Sequence, residues 1–125
     1  MKLEMQKRTK RAALDIIFLC DELPRKSKFF HIENQLMRAS SSVAANYRAV
    51  SRAKSTPDFI NKLTIVEEEA DETMFWLEML MEIYESPKIK PLHNEMNEIL
   101  SIVVASIKTA KAKQNPKFQI RNPKS

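Results

Sequence analysis

The side chains best equipped for chemistry are the carboxylates Glu67, Glu68, Glu69, Asp71 and Glu72, a nearly unbroken acidic run. Clustered carboxylates bridge metal pairs in helical proteins, but that chemistry draws on Glu-x-x-His motifs from two helices, all turned inward. His31 and His93 stand near predicted helix starts and complete no such motif. No zinc-ligand spacing, phosphate-cradling loop or nucleophile turn is present either. The acids therefore read as a solvated or salt-bridged face, and no catalytic residue, metal site or cofactor is expected. Cys20, the single cysteine, closes the apolar run Ile16–Cys20. A lone thiol among apolar neighbours reads as core packing in a reducing cytoplasm.

The basic side chains offer a different chemistry. Arg38, Ala45 and Arg52 recur at intervals of seven, with Ser41 and Arg48 beside them. The small residues Ser40, Ser41, Ser42, Ala44 and Ala45 would let another backbone approach this face closely. Arg38, Arg48 and Arg52, joined by Lys108, Lys111 and Lys113, are candidates for gripping nucleic-acid phosphates. The competing role is pairing of these arginines with the acidic run, within or between subunits. Charge alternates along the chain: residues 23–56 carry seven bases against one acid, 57–86 one base against nine acids, and 87–125 eight bases against two acids. Such blocks pair helices electrostatically and leave basic faces for an anionic partner, RNA or DNA.

The elements that must position these groups are helical. The chain of 125 residues suits one domain and contains no glycine, which disfavours hairpins and phosphate loops. Its longest apolar run is far too short to span a membrane, and its start lacks the features of a secretory signal. Pro and polar clusters divide it into four periodic segments, near 6–22, 31–54, 57–85 and 91–113, forming a bundle over 1–114. A basic, disordered tail is expected over 115–125. Steps of three and four run through Ile32, Leu36, Ala39, Val43, Asn46 and Val50. They run likewise through Phe59, Leu63, Val66, Ala70, Thr73, Leu77, Leu80 and Tyr84, and through Leu92, Met96, Ile99, Val103, Ser106 and Ala110, with Leu100 and Ile107 widening this last stripe. The first segment centres on Ala13, Ile17 and Cys20. This spacing predicts an all-α, antiparallel up-and-down four-helix bundle. Thr56, Pro57 and Asp58 read as cap, first helical residue and dipole complement of the third helix. Asn46, in core phase, reads as a structural polar residue fixing register.

The third helix has apolar residues to spare. Ile65, Phe75, Trp76, Met79 and Ile83 fall outside its main stripe, among Glu68, Glu69 and Glu72. Mixed apolar and acidic character marks these eight as a self-association face. The competing expectation is a core stripe wide enough to take in Trp76 and Ile83. No enzymatic role is expected, and the rival to nucleic-acid binding is a protein-binding adaptor or scaffold.

The stretch from Gln35 to Asn46 (Gln-Leu-Met-Arg-Ala-Ser-Ser-Ser-Val-Ala-Ala-Asn) resembles the second helix of the four helix bundle family, the 23S ribosomal RNA intervening-sequence proteins. Ser55-Thr56-Pro57-Asp58-Phe59-Ile60-Asn61-Lys62-Leu63 is similar to its Ser-x-x-Asp-Phe-Ile-x-Lys-Leu motif. Glu67 to Ala70, Glu72-Thr73, and Trp76-Leu77-Glu78-Met79-Leu80 follow its later elements. The resemblance covers most of residues 8–113. It implies an antiparallel four-helix bundle assembling into a ring-shaped homopentamer. Some members are encoded in insertions within 23S rRNA genes, which does not make them ribosomal subunit components. A related branch, the accessory variability determinants of diversity-generating retroelements, partners a reverse transcriptase and binds nucleic acid. Where many members have Asn-Ile-x-Glu, this chain has Asn46-Tyr47-Arg48-Ala49. Ala49 stands at the position of that acid, so any role of the acid does not carry over, and Arg48 beside it adds positive charge.

Overall fold

A computed structural model describes residues 2–114 of the chain. These form four helices, α1 (Lys2–Asp21), α2 (Ser27–Val50), α3 (Thr56–Ile83) and α4 (Ile89–Gln114), with no strand among the described residues. Each helix packs on its neighbours in sequence, and α4 returns to α1. Short connections force neighbours antiparallel, so the architecture is the up-and-down bundle that the spacing predicts. None of these helices is long and apolar enough to cross a membrane. The tail expected over 115–125 lies outside the described residues.

The helix ends depart from expectation for local reasons. Met5 and Phe29 are buried, and helix extends around them to start α1 at Lys2 and α2 at Ser27. α2 stops at Val50 rather than near 54. The Ser51 hydroxyl and amide both donate to the Arg48 carbonyl, and the Arg52 amide donates to that of Ala49, turning the chain toward α3. Arg52 thus sits in the turn, beyond the heptad spacing that linked it to Arg38. At the start of α3 the cap is Ser55, not Thr56: its hydroxyl accepts from the Asp58 amide at 3.2 Å. The Asp58 carboxylate in turn accepts from the Lys54 amide at 3.0 Å and from Lys62 at 2.9 Å, which holds its carboxyl below the usual range. Pro57 needs no intrahelical donor in this first turn.

The core runs the length of the bundle. Ile16, Leu19, Leu36, Val43, Leu63, Val66, Leu77, Leu80, Met96, Ile99 and Val103 are fully enclosed. Several core positions differ by one residue from the expected stripes. Tyr47 is buried and Asn46 half-buried, and Ile16 and Ile60 replace Ile17 and Phe59 as the inward residues, while Ile107, from the wider stripe of the fourth helix, is buried beside the half-buried Ser106. The core of α2 runs Ile32, Leu36, Ala39, Val43, Tyr47, Val50, two successive steps of four keeping pace with about 3.6 residues per turn. A strict heptad drifts by about 20° per repeat against that pitch, so spacing alone leaves the inward residue to be selected by packing. The buried hydroxyls of Thr9, Ser40 and Thr73 donate to carbonyls one turn back, Met5, Leu36 and Glu69. Cys20 is enclosed beside the Glu33 carbonyl, and burial pushes its thiol up to about 12.

Candidate interaction faces of the bundle

A polar network closes the α2–α3 seam. The Arg38 guanidinium on α2 donates to Glu69 at 3.2 Å and to Glu72, both on α3. Ser42 donates to Glu69, and the Trp76 indole donates to Glu72 at 3.1 Å. These bonds, Trp76 first and Arg38 second, hold the Glu72 carboxyl below its ordinary range, and Glu72 raises the Arg38 guanidinium in turn. His31 meets the Trp76 ring edge-on at 5.2 Å, as does Phe75 at 5.0 Å. Asn46 donates only to the Ser42 carbonyl and hydroxyl, so it ties one turn of its own helix together.

Arg38 is thereby the arginine that takes the competing role, pairing with the acidic run inside one chain. Glu69 and Glu72, expected at a self-association face, are its partners. Glu68 projects outward with Ile65, Phe75, Met79 and Ile83, all exposed, while Trp76 is half-buried at their edge. Of the apolar surplus of α3, Ile65, Phe75, Met79 and Ile83 form an outward stripe, while Trp76 packs against the core. The acids diverge around the helix, and among the described residues no three His, Cys, Asp or Glu side chains are arranged to hold a metal ion.

Packing brings together cations that are far apart in sequence. The beginning of α1, the end of α2 with its turn, the beginning of α3 and the end of α4 share one end of the bundle. Lys2, Lys7, Arg8, Lys10, Arg48, Arg52, Lys54, Lys62, Lys108, Lys111 and Lys113 lie in these stretches, against Glu4 and Asp58. Arg8 leans away to α4, donating to Glu95 at 2.6 and 2.8 Å with Glu98 at 3.5 Å, and these carboxylates raise its guanidinium. Lys62 is bound to Asp58, and Lys2 stands over the Phe59 ring at 5.5 Å. Arg52, Lys54, Lys108 and Lys111 are exposed, and none has a side-chain ion pair. Arg48 stands at the side of this end, where it lines a groove of about 570 Å3 between α1 and α2 opposite Lys7 and Lys10. Those two lysines were missed from sequence. Their signal was a three-residue spacing on α1, legible only once α1 was known to lie against α2. The six basic candidates thus divide among three places: Arg38 in the seam, Arg48 in the groove, and Arg52, Lys108, Lys111 and Lys113 at the basic end.

The far end is electrically mixed and self-paired. Lys88 donates to Glu22 at 2.6 Å, which raises its ammonium, and His93 meets Glu78 at 2.8 Å.

A compact antiparallel bundle with an outward apolar-acidic stripe and a basic end defines the class of protein. Comparison with known proteins narrows it further. The 23S rRNA-intervening sequence protein family matches residues 1–105, and the chain belongs to that family. A crystal structure of a protein of unknown function from the S23 ribosomal protein family, from Bacteroides thetaiotaomicron VPI-5482, is similar to this chain with a TM-score of 0.78 and 33% identity. The similarity covers 86% of this chain and 99% of that one. No curated protein matches.

Proposed function

We propose that the protein is a non-enzymatic, cytoplasmic, self-associating bundle that binds RNA or DNA through its basic end. The observation that carries this reading is the group of exposed cations without ion-pair partners, Arg52 and Lys54 in the α2–α3 turn and Lys108 and Lys111 at the end of α4, brought to one end of the bundle from separate parts of the sequence. Cations without carboxylate partners exchange small counterions for phosphates, so affinity is electrostatic and weakly selective for sequence. Self-association draws on the outward stripe of α3, and five copies is the number the family resemblance implies. Anisotropy titrations with an RNA hairpin and a DNA duplex test the reading across salt. With five or six phosphates contacted, log K falls with log salt at a slope of about −5, and each removed cation reduces the slope by about 1. Binding that stays flat from low to moderate salt, or that ignores Lys108→Glu with Lys111→Glu, overturns it.

A second reading, a protein-binding adaptor or scaffold for a partner such as a reverse transcriptase, draws on the exposed Phe75 and Met79. Pull-down after nuclease digestion separates the two, since protein partners that survive digestion favour the adaptor.

A further inference from the structure

A pocket of about 620 Å3 opens at the basic end, between the first turn of α3 and the last turns of α4. Sites that take small organic groups have volumes of about 300–1,000 Å3. Its walls are largely apolar, with Ile102, Ala105 and the half-buried Phe59 ring among them, and the hydroxyls of Thr56, Ser106 and Thr109 interrupt them. No carboxylate lines it. Positive charge stands beside it instead, since Lys2 lies over the Phe59 ring at 5.5 Å and the exposed Arg52 and Lys54 belong to the turn that leads into Thr56.

A guest that uses all of these features is flat, polar at its edge and attached to negative charge. The Ser106 hydroxyl donates to the Ile102 carbonyl at 3.0 Å and keeps its lone pairs for a further donor. Among the described residues the Thr56 and Thr109 hydroxyls make no hydrogen bond, so each can donate or accept. An aliphatic guest would leave these groups and the cations idle. The α1–α2 groove is basic too, but no aromatic ring lines it. Bases inside a duplex are paired and stacked, whereas those of a single strand splay out onto aromatic side chains.

We propose that this pocket takes one unpaired base of a single-stranded nucleic acid, stacked on Phe59, while the flanking phosphates meet Lys2, Arg52 and Lys54. This deepens the nucleic-acid reading above and rests on it. Lys2 exchanges its contact with the ring face for a phosphate, and the base takes its place there. Phosphate contacts alone register charge. The pocket adds a requirement for a base free of its partner, and it tolerates any sequence because every base has a π face.

The test compares a labelled strand of about ten thymidines with a strand of equal length whose sugars carry no base, by anisotropy on the nuclease-treated full chain. The wild type should bind the thymidine strand about tenfold more tightly than the abasic one. Phe59→Leu removes the ring and Ala105→Leu, at an exposed position, fills the pocket. Both should lose that difference while keeping the affinity for the abasic strand, with circular dichroism as the check on folding. A uridine strand measured beside them distinguishes RNA from DNA as the source of the base. Equal wild-type affinity for the thymidine and abasic strands overturns the base pocket and leaves the electrostatic reading standing. So does a difference that survives in both folded variants, the result expected if a second copy or another part of the chain fills the pocket. Failure of every strand to bind at low salt overturns both.

Discussion

Arg38 on α2 donates to the same Glu72 carboxylate that receives the Trp76 indole on α3, so one acid ties two helices and the sole tryptophan together. The pair lies at the surface, where its Coulomb energy is screened and contributes little on its own. Its weight is positional: it holds the α2–α3 seam closed beside the outward stripe. Arg38→Ala should lower unfolding free energy by up to about 1 kcal/mol. It should also shift Trp76 emission, because the acid that orients the indole loses its other anchor. Urea melts followed by fluorescence and by circular dichroism check both, and an unchanged emission spectrum would show that Trp76 does not sense the network.

The same carboxylate sets a pH dependence. Bonds from Trp76 and Arg38 depress Glu72 in the folded state. A depressed acid contributes its stability above the unfolded value of about 4.3 and loses it as pH falls through the folded value. Glu72→Gln should therefore be the less stable protein at neutral pH and should converge on the wild type in acid. Asp58, depressed by Lys62 and the Lys54 amide, predicts the same sign for Asp58→Asn. Melting temperature against pH for the three proteins measures this.

At the α2–α3 turn the cap is a single hydroxyl. Ser55→Ala should cost about 1 kcal/mol, whereas Thr56→Ala, which removes no cap, should stay within a few tenths. Equal losses from the two substitutions in denaturant titrations would contradict the assignment of Ser55.

Neighbouring positions on α2 should differ sharply. Tyr47 is 9% exposed and belongs to the core cluster, while Asn46 bonds only to Ser42. Tyr47→Ala should cost about 3 kcal/mol or more, and Asn46→Ala about 1 kcal/mol or less. Thermal unfolding of the two variants decides which residue carries the register of this helix.

The apolar periodicity of α2, α3 and α4, the Pro-marked turns and the lack of glycine were enough to specify four helices and their antiparallel order. Short connections leave little other choice. The surplus apolar residues of α3 were equally legible, because eight large or acidic side chains cannot share a stripe already filled by Leu63, Leu77 and Leu80. What sequence spacing left open was helical phase to one residue. Asn46 and Tyr47 differ by only about 100° of rotation, and only close packing against a neighbour selects the inward one. Charge was decided at a larger scale still. Arg38 could have faced phosphate or carboxylate until α3 brought Glu69 and Glu72 alongside. Lys7 and Arg48 became neighbours because antiparallel packing joins the start of α1 to the end of α2. Local propensity acts over a few residues and wrote the helices. Electrostatic partners act through space, and their identity waited on the arrangement of the four rods.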